Sequence, residues 1–130
     1  MAYAKEHNVK FQFDFHSPYH IGGGDDKVFL VRNLLNTKGQ DEFASLFHEE
    51  SANLSFRYFV GSDIMPNTSW NTLTNPTSTK FFSSLPTTEL SFTLETAYFG
   101  TEENKVSQEG LIELGKAFAR ALIRYIENHR

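Results

Sequence analysis

The chain has no cysteine. That excludes a disulfide framework and any thiolate metal site, so a bound metal would have to be held by His, Asp or Glu. Long apolar runs are also missing. Nothing approaches the ~18 consecutive apolar residues of a membrane span, and Lys5, Glu6 and His7 fall where a secretory signal needs an unbroken apolar stretch. A cytoplasmic chain with no membrane partner is the expectation. Basic residues are outnumbered, 12 Lys and Arg against 16 Asp and Glu, and the formal net charge is −4. Without a basic stripe there is no electrostatic footprint for nucleic acid. Internal repeats, low-complexity tracts and an interdomain linker are absent too.

What is abundant is phenylalanine, 13 residues in a chain of 130, within a hydrophobic fraction of 39%. That length fits one domain with an aromatic-rich core. Lys10–His16 alternates Phe11, Phe13 and Phe15 with Gln12, Asp14 and His16, a period-two strand pattern. The following stretch to Asp26 carries Pro18 and Gly22, Gly23 and Gly24, so the strand ends at about His16 in an irregular loop. The glycine run lacks the spacing and following helix of a phosphate-binding loop and reads as turn geometry.

Lys27–Arg32 predicts a second strand and Asn33–Gly39 a turn. Asp41 is placed to cap a helix over 42–54 with Phe43, Leu46, Phe47 and Leu54 on one face. Residues 55–61 predict a further short strand, followed by a long loop over 62–84 that holds Trp70, the only tryptophan. Thr88–Glu95 alternates again, with Leu90, Phe92 and Leu94 on one side and Ser91, Thr93 and Glu95 on the other. After a polar turn over 100–105, Ser107 caps a helix from Gln108 to about 127 whose Leu111, Leu114, Phe118, Leu122, Tyr125 and Ile126 recur at helical spacing. Strands separated by helical segments predict an α/β arrangement, a mixed sheet flanked by helices. So few strands make a small sheet with open edges, which suggests that covering material lies elsewhere.

His16 and Glu95 each end an alternating strand on its polar parity. If those strands are parallel neighbours, the two side chains converge at one sheet edge, where open α/β sheets bind ligands. An imidazole can ligate zinc there and a carboxylate can take a proton from water. The same spacing also describes a hydrogen-bonded histidine beside a solvated glutamate. His20, Asp25 and Asp26 can be recruited to a metal or simply form a solvated acidic turn. Trp70 and Asn71 either line a substrate pocket or anchor their loop, and Tyr98 either donates to substrate or packs.

The segment FQFDFHSPYHIGGGDDKVFLV resembles the part of zinc metallocarboxypeptidases, the funnelin superfamily, where a strand ends in the third metal ligand as Asp-x-His followed by Ser or Cys and often Pro. His16 is the matching position. LPTTELSFTLETAYFG, with the polar turn and amphipathic helix after it, resembles the end of the same domain, where a strand carries the catalytic glutamate. Glu95 is the matching position. PNTSWNTLTNP and SSLP are similar to the bacterial and cytosolic branch, so the resemblance covers nearly the whole chain in order and makes residues 1–130 one partial domain. It implies the C-terminal part of a three-layer αβα catalytic domain, a zinc cofactor with His16 as a metal ligand, and Glu95 as the catalytic base. Trp70, Asn71 and Tyr98 are the candidate substrate-binding residues.

One departure from that family is decisive. Its first two ligands come from a His-x-x-Glu motif upstream of the third histidine, and no histidine here has glutamate at its third following position. The family's Asn-x-Arg element for a terminal carboxylate is absent upstream of His16 as well. One histidine cannot hold zinc where three or four protein ligands are the rule, so this chain alone is not expected to catalyse. The expected substrate of the whole domain is a peptide, or an acyl-amino acid if it is a deacylase. The expected protein partner is the N-terminal half of the domain or another copy of the chain, and a non-catalytic oligomerising module is the alternative from another class.

Overall fold

The structure, a computed structural model, describes residues 2–17, 27–74 and 76–130. In these, a three-stranded mixed sheet is flanked by four helices. The strands are β1 (Phe11–His16), β2 (Phe29–Val31) and β3 (Leu90–Glu95), in the order β1-β3-β2. β1 runs parallel to β3 and β2 antiparallel to it. All six residues of the central strand β3 are buried. The helices are α1 (Ala2–Glu6), α2 (Thr37–Ser51), α3 (Ser78–Ser83) and α4 (Gln108–Asn128). No helix among the described residues is long and apolar enough to cross a membrane.

Alternation in β1 and β3 sorts the side chains onto two faces. On the apolar face, Phe13 of β1 and its register partner Phe92 of β3 meet Phe43 of α2 and Phe118 of α4. Ring centroids are 5.0 Å apart for Phe13 and Phe92, 5.1 Å for Phe43 and Phe92, and 5.0 Å for both Phe13 and Phe43 with Phe118. The tilted and edge-on geometries are those aromatic rings prefer. On the polar face, Ser91 Oγ lies 2.7 Å from Gln12 Oε1 and 2.9 Å from the Thr79 carbonyl of α3. The sheet therefore has an aromatic layer on one side and a polar layer, with α3, on the other.

Beyond β2 the sheet is extended by a single residue. Ile64 forms a parallel bridge with Val31, donating to the Leu30 carbonyl at 3.0 Å and accepting from the Arg32 amide at 2.9 Å. At the other edge, β1 pairs with β3 alone among the described strands, and Phe15 is 59% exposed.

Several boundaries differ from the sequence expectation. β2 spans only Phe29–Val31 of the predicted 27–32. α2 begins at Thr37, not after Asp41. Asn36, in the left-handed region (φ 45°), accepts from the Gly39 amide and caps it. Gly39 is thus a helical residue, and a Cβ there would sit 2.7 Å from the Tyr125 hydroxyl of α4. Asp41 turns instead to Arg32.

Residues 55–61 make no strand, although Phe56 and Tyr58 are fully buried. Side chains satisfy that backbone: the Arg57 amide donates to Asn104 Oδ1 at 2.8 Å and the Tyr58 amide to Ser51 Oγ at 3.1 Å. The loop predicted over 62–84 contains α3, capped by Thr77, whose side chain accepts from the Lys80 amide. α4 starts as expected, with Ser107 Oγ accepting from the Gly110 amide at 2.9 Å. Its buried residues are Gly110, Leu114, Ala117, Phe118, Ala121 and Tyr125, while Leu111 and Ile126 lie exposed.

Candidate active site

The parallel pairing of β1 with β3 makes His16 and Glu95 register partners at the carboxyl ends of both strands. Both point to the polar face, and His16 Nε2 stands 2.8 Å from Glu95 Oε1. The other ring nitrogen, Nδ1, is 3.2 Å from Asp14 Oδ2, two residues back on the same face of β1. The imidazole therefore sits between two carboxylates. Glu95 is buried, 3% exposed, while the His16 side chain is half exposed. Donation to both carboxylates needs the doubly protonated ring; service as a metal ligand needs one nitrogen without its proton.

These three residues open on a cavity of about 330 Å³ that is also lined by Arg32, Trp70, Asn71 and Lys80. Trp70 is 49% exposed at its rim. Asn71 is buried, and its amide nitrogen donates to the carbonyls of Arg32 at 2.8 Å and Met65 at 3.1 Å, which pins its loop to the strand extension. Tyr98 is exposed and is not among the described residues of the cavity wall. Gly22–Gly24, His20, Asp25 and Asp26 lie outside the described residues.

Arg32 follows β2 and joins a buried carboxylate, Asp63, to an exposed one, Asp41. Its Nε donates to Asp63 Oδ2 and its Nη2 to Asp41 Oδ1, both at 2.8 Å. Asp63 also accepts from the Leu30 amide at 2.9 Å and the Tyr58 hydroxyl at 2.7 Å. Burial nevertheless pushes the Asp63 carboxyl above its ordinary value, against the lowering effect of these hydrogen bonds and of the Arg32 charge. The Tyr58 phenol is pushed up by burial first and by Asp63 second.

No family model, curated protein or solved structure matches the chain. The chemistry at the strand ends must be judged from its own donors. These do not fit a zinc ion by themselves: no group of three His, Asp or Glu side chains among the described residues is placed to hold one. What the site does hold is a buried carboxylate beside an imidazole, at the mouth of a cavity with a guanidinium and an ammonium in its wall.

Reading the sequence alone misses Asp14, Arg32 and Lys80. Asp14 carries a usable signal, since it shares the parity of His16 in β1. Arg32 is a charge directly after an apolar strand, but its partner Asp63 lies 31 residues away and no local pattern joins them. Lys80 reaches the wall only because α3 interrupts a segment that reads as loop.

Proposed function

We propose that the chain is the C-terminal part of a zinc-dependent metallocarboxypeptidase domain that hydrolyses peptide bonds, acting in the cytoplasm, with His16 as a metal ligand and Glu95 as the general base. The observation that carries this reading is the pairing of His16 with Glu95 at the ends of two parallel strands, 2.8 Å apart and beside a cavity. The resemblance of both strands to that superfamily names the same two residues.

Within this chain, the Glu95 carboxylate is the group able to accept a proton from a water in the cavity and return it to the departing amide nitrogen. The C–N bond breaks, the water oxygen stays on the carbonyl carbon, and an acid and an amine leave. The remaining zinc ligands would come from a His-x-x-Glu segment outside this sequence. The outer edge of β1, which pairs with no strand among the described residues and has Phe15 exposed beside it, is where the rest of such a sheet would pair. An acyl-amino acid deacylase shares this ligand set, and the placement of substrate-binding groups separates the two.

Zinc titration of this chain tests the division of ligands. Weak binding at most is expected. A stoichiometric submicromolar site that is lost in His16→Ala and needs no other polypeptide would contradict it.

A further inference from the structure

Arg32, Arg120 and Arg124 are each committed to carboxylates, Arg32 to Asp63 and Asp41 and the other two to Glu49 and Glu50. Arg57 is not. Its Nη1 donates to the Ala52 carbonyl at 3.3 Å, and its guanidinium carbon stands 4.9 Å from the centre of the Phe59 ring. These contacts orient the group and leave Nε and Nη2, the two parallel donors that grip an oxyanion, without a partner among the described residues.

Arg57 lines a second cavity of about 330 Å³, which shares no described residue with the one at the strand ends. Buried Asn104 sets the backbone there: its Oδ1 accepts from the Arg57 amide at 2.8 Å and its Nδ2 donates to the Arg57 carbonyl at 3.3 Å. The turn before α4 is thereby held against the segment after α2, and it brings Thr101 and Glu103 into the wall. Thr101 Oγ1 accepts from the Asn104 amide at 3.1 Å, so its hydroxyl hydrogen still has a bond to give. Exposed Lys27, just before β2, and Ser62 add an ammonium and a second hydroxyl. Glu103 is the one carboxylate of the described wall. Two cations against it make that wall net positive, on a chain whose net charge is −4.

We propose that this second cavity binds a phosphate group, free or as the monoester of a small molecule. A phosphate brings about −1.5 to −2 charges near neutrality and three strong acceptor oxygens. The Arg57 fork takes two of these oxygens, and the ammonium and hydroxyls serve the rest; a carboxylate has too few acceptors for all four groups. The cavity is larger than a bare anion needs, and Phe59, 37% exposed, offers apolar surface to the body of an ester. Neither His16 nor Glu95 takes part, so the hydrolase reading and this site stand or fall separately.

The test follows the side-chain nitrogen resonances of Arg57 while the full chain is titrated with inorganic phosphate, phenyl phosphate, benzoate and phenol. The expected result is that at least one phosphate shifts these resonances and binds about tenfold or more tightly than benzoate, a difference of about 1.4 kcal/mol, while phenol leaves them unmoved. Tighter binding of phenyl phosphate identifies a monoester ligand; binding of inorganic phosphate as tight or tighter identifies the free anion. Arg57→Gln and Lys27→Gln should each weaken phosphate binding several-fold with unchanged far-ultraviolet circular dichroism, and Lys27 is exposed enough that its variant decides if the other does not fold. Benzoate binding as tightly as phosphate, no binding of either phosphate, or shifts at Arg130 equal to those at Arg57 would overturn the proposal. So would phosphate affinity that is unchanged in the folded variants.

Discussion

His16 and Glu95 are Cα partners at the last position of a parallel strand pair, and their side chains meet at 2.8 Å on the polar face of the sheet. The same alternation that turns these two toward the cavity turns Phe13 and Phe92 toward α2 and α4. Site and core are therefore two faces of one register, and a slip of one residue would exchange them.

The aromatic face should dominate stability. Phe92 is fully buried and packs on Phe13 and Phe43, so Phe92→Ala should cost about 3–5 kcal/mol in chemical denaturation. Phe15→Ala, at 59% exposure, should cost well under half of that. Equal losses would show that the exposed edge of β1 is covered in solution.

Gly39→Ala, in the first turn of α2, reverses the usual sign for a helical glycine. Alanine is ordinarily favoured over glycine in a helix by about 1 kcal/mol. Here its Cβ would meet the Asn36 side chain and stand 2.7 Å from the Tyr125 hydroxyl. Overpacking of this kind should destabilise by about 1–3 kcal/mol. A stabilised variant would mean that α2 and α4 are not held this closely.

That glycine also shows how far the sequence could be read. The alternation of β1 and β3 and the cap at Ser107 rest on local periodicity and local hydrogen bonding, and the chain displays both directly. Gly39 looks like a turn residue because nothing nearby in sequence reveals Tyr125, 86 positions on, pressing against it. Tyr58 looks like a strand residue because the side chains that satisfy its segment, Ser51 of α2 and Asn104 of the turn before α4, come from outside it. At the site, parity marks His16 and Glu95, while the Arg32 and Asp63 pair exists only once β2 and the turn before Ile64 come together.

The contact between α2 and α4 should depend on pH. Glu50 receives Arg120 Nε at 2.9 Å and Arg124 Nη1 at 3.0 Å, and the Arg120 hydrogen bond foremost holds its carboxyl below the ordinary 4.5. A folded value below the unfolded one means the stabilisation is complete above about 4.5 and is lost as pH falls through the folded value. The stability difference between the parent chain and Glu50→Gln should be about 0.5–1 kcal/mol near neutrality, as for a surface ion-pair network, and shrink toward zero in acid or high salt. A difference unchanged across that range would remove the charge interaction as its cause.

The most direct measurement is turnover of a blocked peptide by the domain assembled with its His-x-x-Glu segment, comparing Glu95 with Glu95→Gln. If Glu95 is the general base, the substitution should lower kcat by about two to four orders of magnitude while zinc content and fold persist. Unchanged turnover with zinc retained would contradict the role assigned to the strand-end pair.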